Sequence, residues 1–386
     1  MPGGAATVLY LHSSSGRYGA DRQLHLIASG LDRDRYRPLV VLPASGPLQH
    51  DLQESGIEVL VRELGIIRRQ HLSPGGIAGL ARRTARDAVQ LARLVARRQV
   101  ALVHSNTSVV LSGAAAARLA GRPHVWHVRE IYSRFSRWWP AYRRLLLSAA
   151  VLPCVSEATA GQFAGIGGRA RVLPDGLALD PVRAPRAEAR HELGLDADAP
   201  VVAVLGRISE WKGQDLLVRA LARPALRERG TIGLIAGEAW PGAEDRTERV
   251  LALARELGVS ERLRLSGFRV DVATVLGAAD LVAVPSTAPD PLPGAAIEAA
   301  AAGCTVIASA HGGLPEIIRD GVTGRLVEPG DPARLAETAA ELIDDPSQRE
   351  RLGAAAAADV RRRFSAPRLL EALQDLYDEV LARRPG

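Results

Sequence analysis

The sequence predicts an α/β protein made of two Rossmann-like, doubly wound domains. Three observations carry that prediction. The 386 residues exceed what one hydrophobic core usually holds. Short apolar runs alternate with amphipathic segments along the chain, the signature of parallel sheets covered by helices. One stretch, Leu177 to Pro200, interrupts that alternation with Ala, Pro, Asp and Arg, and places a boundary near Arg183.

In the first half, residues 1–183, Thr7–Leu11 reads as a strand. It feeds HSSSGRYGADRQ and then a helix with Leu24, Ile27, Ala28 and Leu31 on one face. Strands follow at Pro38–Leu42 and Ile57–Val61, then a long basic helix at Ile77–Arg98. Val100–His104 is a strand that ends in Ser105-Asn106-Thr107, residue types suited to a helix cap. His124–Val128, Ala149–Val155 and Arg171–Leu173 complete the strands of this half. The second half, residues 184–364, repeats the alternation. Its strands are expected at Val201–Leu205, Thr231–Ala236, Leu263–Ser266, Leu281–Val284, Thr305–Ala308 and Arg325–Val327. The end is helical, at Pro332–Ile343, Ser347–Arg362 and Ala366–Ala382.

Composition narrows the function. With 47% hydrophobic and 24% charged residues the chain is globular. It has no apolar run long enough to span a bilayer, and its start, MPGGAATVLYLH, lacks the basic region of a signal peptide. Cys154 and Cys304 sit in apolar runs without metal-ligand spacing and read as buried thiols of a cytoplasmic protein. Residues 1–183 carry a net charge of +12 and the remainder −6, which suggests that the first half meets an anionic surface or acceptor. The positive charge is spread over helices beside an acidic half, so nucleic-acid binding is not expected.

Open α/β sheets bind ligands beyond the carboxyl ends of their strands, so the site is expected in a cleft between the two domains. Lys212 is the only lysine among 49 lysines and arginines. It follows the strand Val201–Leu205 and a Gly206-Arg207 turn, where a helix begins. A compact ammonium at such a helix start suits an anionic phosphate; a surface lysine in a loop is the plain alternative. Ser14-x-Gly16-x-x-Gly19 is nearly a dinucleotide fingerprint, but the second strand ends Leu42-Pro43-Ala44-Ser45-Gly46 without the acid that would hold a ribose. A nicotinamide or flavin dinucleotide is therefore disfavoured, while Gly16 and Gly19 still let backbone approach an anion. Glu298 interrupts the alanine-rich helix AAIEAAAAG, where an unpaired carboxylate is costly to bury; sugar or ribose hydroxyls, or an ion pair with Arg207 or Lys212, would satisfy it. Asp290 precedes that helix and could accept from sugar hydroxyls. Gly312 and Gly313 open a loop whose amides could face phosphate, with Pro315 in the first helical turn. His127 ends its strand and could bond a hydroxyl, although a lone histidine is more often structural. Asp32-Arg-Asp34 and Asp196-Ala-Asp198 read as turns and not as a metal site.

Together these segments resemble the retaining glycosyltransferases of family 4, with the GT-B fold. GRISEWKGQDLLVRAL is similar to the family's G-R-x-x-x-x-K-G stretch, which implies Arg207 and Lys212 on the donor diphosphate. SGFRVDVATVLGAADLVAVPS resembles the segment that flanks the nucleotide base, here with Phe268 and Arg269. DPLPGAAIEAAAAGCTVIAS is similar to the E-x7-E signature, with Asp290 in place of the first glutamate. It implies Glu298 at the ribose, Asp290 at the donor sugar and Gly294 in the donor site. HGGLPEIIRDGVTGRLV implies Gly312 and Gly313 near sugar or phosphate, and weaker matches in the first half imply Gly16 and Gly19 at the phosphate and His127 near the reacting sugar. The closing helix, residues 365–386, resembles one that packs back on the first domain.

The resemblance implies transfer of a hexose or N-acetylhexosamine from a nucleotide-diphosphate sugar to a lipid-linked, saccharide or small-molecule hydroxyl. The expected context is cell-surface polysaccharide, glycolipid or glycosylated metabolite synthesis. The nucleotide sugar is a substrate, and neither a cofactor nor a metal is expected. A nucleotide-sugar epimerase or hydrolase, or a non-catalytic nucleotide-sugar-binding protein, are the rival classes. Arginines interleave with aromatics from Tyr132 to Leu147, a pattern that suits either peripheral contact with an anionic membrane at the inner face or a surface helix with its aromatics turned inward.

Overall fold

The computed structural model describes residues 4–68, 74–132, 138–165, 168–178, 181–240 and 242–383. The chain divides into two compact units. The first comprises Met1–Ala178 with Ala366–Gly386, and the second Leu179–Ser365. Arg183 belongs to the second unit, where its guanidinium donates to the carbonyls of Leu276 and Ala279.

Five parallel strands form the main sheet of the first unit. They are β1 (Ala6–Leu11), β2 (Tyr36–Leu42), β3 (Glu58–Val61), β4 (Val100–Ser105) and β5 (His124–Trp126), in the order β3-β2-β1-β4-β5. A short parallel pair, β6 (Leu152–Cys154) and β7 (Ala170–Val172), is joined to β5 by bridges at Val125–Val151 and Val128–Cys154. Val8 to Leu11 and Leu39 to Leu42 are buried throughout, as expected of parallel strands covered on both faces. On one face α1 (Gly19–Gly30) packs through Leu24, Ile27 and Ala28. It shares that core with α16 (Ala366–Ala382), which returns from the far end of the sequence with Leu369, Leu373, Leu376, Tyr377 and Val380. The Tyr377 hydroxyl meets Tyr10 Oη at 2.8 Å and His104 Nδ1 at 2.5 Å, so α16 is tied to β1 and β4 by a buried polar cluster. On the other face α3 (Pro74–Arg97) and α4 (Ser112–Leu119) supply Leu91, Leu94, Val95, Ala116 and Ala117.

The second unit has six parallel strands. They are β8 (Val201–Leu205), β9 (Ile232–Ala236), β10 (Leu263–Gly267), β11 (Leu281–Val284), β12 (Thr305–Ser309) and β13 (Arg325–Val327), in the order β10-β9-β8-β11-β12-β13. Its core joins Val202, Val204 and Ile307 of the sheet to Leu217 and Leu221 of α8 (Gln214–Leu221) and Leu335 and Ala339 of α14 (Pro332–Asp344). In both sheets the winding direction reverses next to the first strand of the unit, between β1 and β4 and between β8 and β11. Loops diverge there and leave a crevice at the carboxyl ends.

One expectation fails locally. Ser105-Asn106-Thr107 does not cap a helix, because α4 begins only at Ser112 and has Leu111 in the capping position. Val110 instead bridges to Ile66, and the intervening turn uses the polar side chains for contacts across the sheet edge. Ser105 Oγ lies 3.0 Å from His124 Nε2, and Asn106 Nδ2 lies 3.2 Å from His12 Nδ1. Both Asp-x-Asp sequences are turns: Asp32 Oδ1 accepts from Asp34 N, and Asp196 Oδ1 from Asp198 N and Ala199 N.

Candidate functional site

In the second unit the polar residues gather at the switch point. Lys212 follows β8, Asp290 follows β11, and the Lys212 ammonium donates to Asp290 Oδ2 at 2.7 Å. Asp290 is 4% exposed while the Lys212 side chain keeps 23% of its surface open, so the cation faces solvent from a buried anchor. Ser286 Oγ donates to the same carboxylate oxygen at 3.4 Å, and the Lys212 ammonium lies 4.4 Å from the centre of the Trp211 ring.

The backbone fixes this arrangement. Gly213 caps α8 at φ +77°, and a Cβ built there would stand 1.9 Å from the carbonyl oxygen of Pro285, so the loops after β8 and β11 touch through a bare glycine. Gln214, 1% exposed, donates to the carbonyl of Arg207 and closes the loop from within. The Arg207 guanidinium stacks on the Trp240 ring, 3.0 Å from its centroid.

The Gly312-Gly313 loop leans on Asp290. Gly313 N donates to the Asp290 carbonyl at 2.8 Å, and a Cβ at Gly312, whose φ is +61°, would meet that carbonyl at 2.4 Å. His311 Nε2 lies 2.8 Å from the Ser286 carbonyl. Pro315 occupies the first turn of α13 (Leu314–Ile317). Gly294 opens α12 (Gly294–Ala301), where Glu298 is half-buried one turn on. Phe268 is 37% exposed, and its N–H donates to Glu238 Oε1. Arg269 is in an ion pair with Glu192. The structure therefore joins Lys212, Asp290, Gly312 and Gly313 directly, and sets Arg207 beside Trp240.

The first unit presents a second polar group. His127, beyond the end of β5, is fully buried, and neither ring nitrogen has a hydrogen-bond partner. Burial, reinforced by Arg129 and then His104, holds its imidazole far below the usual range and so neutral. Gly16 sits where a Cβ would approach Asp21 Oδ2 to 3.2 Å, and Gly19 begins α1. The loop between them is held by Ser14 together with His12, Tyr18 and Asp21, which belong to no sequence motif. His12 Nε2 lies 2.9 Å from Asp21 Oδ1, Ser14 Oγ donates to the same oxygen, and Tyr18 N donates to Oδ2 at 2.9 Å. Burial alone would raise the Asp21 pKa, but these donors outweigh it and the carboxylate stays below its ordinary value. Glu130 is a further unforeseen group. Its carboxylate accepts from Ser108 Oγ and Arg129 N, and burial raises its pKa against those bonds. Arg129 pairs with Asp175. Among the described residues no three His, Cys, Asp or Glu side chains are grouped closely enough to hold a metal ion.

Part of the arginine–aromatic stretch turns inward. Tyr132 is 7% exposed and stacks on Trp139 at 5.1 Å, and Trp139 meets Phe163 edge-on. Trp138 and Leu145 remain exposed, and Ser133 to Arg137 lie outside the described residues. No helix among the described residues is long and apolar enough to cross a membrane.

Residues 18–180 match the family Glycosyltransferase Family 4, and residues 185–359 match Glycosyl transferases group 1. The chain belongs to the family 4 glycosyltransferases. Its fold is GT-B: a protein of Anabaena, HepE, in complex with UDP and glucose, superposes with a TM-score of 0.81 at 28% identity, covering 96% of this chain and 99% of that one. The same protein in complex with UDP-glucose gives a TM-score of 0.82 at 27% identity, over 97% of this chain and 99% of the other. In sequence the chain is 38% identical over 225 residues to the D-inositol 3-phosphate glycosyltransferase of Thermobispora bispora, covering 56% of this chain and 51% of that protein. The enzyme of the same name from Nocardia farcinica is 37% identical over 219 residues, 55% and 48% of the two chains. The matches thus span about half the length of these curated relatives.

Proposed function

We propose that this glycosyltransferase transfers a sugar from a nucleoside diphosphate sugar to a hydroxyl acceptor, with retention at the anomeric carbon. The observation that carries the reading is Lys212, an ammonium anchored on buried Asp290 and open to solvent at the switch point of the second sheet. When the glycosidic bond breaks, negative charge grows on the departing diphosphate. Lys212 and Arg207 offset it, with the amides of the Gly312-Gly313 loop, and because they are already in place they need little reorganisation. Glu298 takes the ribose hydroxyls, and Asp290 both aims Lys212 and accepts from the donor sugar. Phe268 and Arg269 flank the base, and Gly294 lets the donor approach α12. In the first unit Gly16 and Gly19 approach the phosphate. Neutral His127 has both ring nitrogens free to bond a sugar hydroxyl. The similarity to a protein crystallised with UDP-glucose supports UDP as the nucleotide, and the D-inositol 3-phosphate glycosyltransferases support a polyol hydroxyl as the acceptor.

A screen of UDP-, GDP-, ADP- and TDP-sugars by thermal shift and nucleotide release identifies the donor. Losing one charge-stabilising group commonly costs about 2.7–4 kcal/mol of transition-state stabilisation, so Lys212→Ala should lower turnover about a hundredfold or more. Near-normal turnover in that variant removes Lys212 from the mechanism. A product of inverted anomeric configuration rules out retention.

A further inference from the structure

A cavity of about 690 Å³ opens in the first unit, a volume typical of small-molecule sites. It lies at the amino ends of the strands of this unit, the edge opposite His127. His124, the first residue of β5, is part of its wall, as are Val151 before β6 and Arg171 in β7. α4 contributes Arg118, α16 contributes Glu379, and Arg383 follows directly after α16.

Its charge is one-sided. Arg118, Arg122, Arg169, Arg171 and Arg383 line the cavity, against the single carboxylate of Glu379. Glu379 is shared by Arg171 at 2.8 Å and Arg383 at 3.5 Å. Arg169 donates to the carbonyls of Leu147 and Ala149 beyond the C-terminus of α5 (Trp139–Leu146). Those three guanidiniums have structural work. Arg118 and Arg122 are different: both are exposed, their backbones take part in the turn that closes α4, and neither guanidinium has a hydrogen bond or ion pair among the described residues. A concave wall with an excess of cations concentrates positive potential, and the planar guanidinium fork fits phosphate oxygens in pairs. The wall also carries an unsatisfied buried group. His124 is 5% exposed; its Nε2 meets Ser105 Oγ, but its Nδ1 has no hydrogen-bond partner.

We propose that this cavity binds a phosphate-bearing anion through Arg118 and Arg122, at a second site on the sheet edge opposite His127. Either a free organic phosphate or the headgroup of an anionic phospholipid supplies that chemistry, and the test separates them. Tripolyphosphate is titrated into the full chain by calorimetry, with UDP present throughout to occupy the donor half. In parallel, the protein is sedimented with vesicles of neutral phospholipid, with and without phosphatidic acid. Each arm compares the natural chain with Arg118→Gln/Arg122→Gln, with Arg118→Lys/Arg122→Lys and with Lys212→Ala. The glutamine pair should weaken binding at least tenfold while leaving the unliganded melting temperature unchanged, because neither guanidinium has a partner to lose. The lysine pair should retain part of the affinity, and Lys212→Ala should retain all of it. Loss in the tripolyphosphate arm assigns a soluble ligand, and loss in the vesicle arm alone assigns a headgroup; both uphold the site. Equal binding by the glutamine pair and the natural chain in both arms overturns it, as does the absence of saturable binding in either arm. Loss on Lys212→Ala instead would show that the anion was reporting the donor half.

Discussion

Acidification should destabilise the first unit through its buried histidines. His104 and His127 are 0% exposed and His124 is 5%. Burial pushes His124 from 6.5 down to about 3. Burial also holds His104 and His127 well below the ordinary value, and Arg129 adds to the effect. The sign follows from linkage. Below pH 6.5 the unfolded chain takes up protons that the folded chain refuses. Stability is therefore complete above the unfolded value and is lost as the pH falls, with the His124 share exhausted near pH 3. Such a group contributes about 1.4 kcal/mol per pH unit once its unfolded form is mostly protonated. Integrated from about pH 7 to 5 the His124 loss is roughly 2 kcal/mol, a sizeable part of the stability of many domains, and His104 and His127 act in the same direction. Glu130 and Asp87, raised chiefly by burial, oppose this from their unfolded values of 4.5 and 3.8 upward. Asp21 and Asp51, lowered in the fold, act only below 3.8. The variant His124→Gln isolates one contribution. Unfolding free energies from urea titrations between about pH 5 and 7 should fall less steeply in the variant, by about 1 kcal/mol per unit on average, whatever its stability at neutral pH. Parallel slopes for the variant and the natural chain would refute the assignment of a neutral, buried His124.

Three further outcomes follow from local geometry. Gly213→Ala must place a side chain in the left-handed region and against the Pro285 carbonyl, so it should cost about 3 kcal/mol or more in thermal unfolding and weaken nucleotide-sugar binding by displacing Lys212. Tyr377→Phe removes the hydroxyl that meets Tyr10 and His104 and should destabilise the first unit by about 1–3 kcal/mol in a denaturant titration. Burial pushes the Cys154 thiol up to about 12 and the Cys304 thiol up to about 11, so a thiol reagent should label neither in the native chain at mildly alkaline pH and both after denaturation.

The two sheets were legible because their strands are buried on both faces. Runs such as Val201–Leu205 and Leu281–Val284 are apolar from end to end. The edges were less legible, because polar residues at a strand end have several uses. Ser105, Asn106 and Thr107 have the chemistry of a helix cap, and only the turn and bridge through Val110 divert them to other partners. His12 and Asp21 looked like ordinary loop residues. Their pairing depends on the chain leaving β1 and re-entering α1 within nine residues, which a linear reading does not show.

Lys212 shows the same limit at the candidate site. Its position after a strand could be read from the sequence, as could that of Asp290, but the two are 78 residues apart. What brings them together is the sheet order, in which β11 lies directly beside β8 although two strands separate them in the chain. That order is the winding reversal itself, so the feature that opens a crevice in the sheet also sets carboxylate beside ammonium. The contact changes what Lys212 is. A free lysine on a loop would have to be ordered by the ligand at an entropic cost. Here Asp290 holds the ammonium in advance, and its own carboxylate is anchored by Ser286 and by burial. In the proposed reaction an arriving diphosphate would meet a cation already in position, and it would compete with Asp290 for the ammonium's protons.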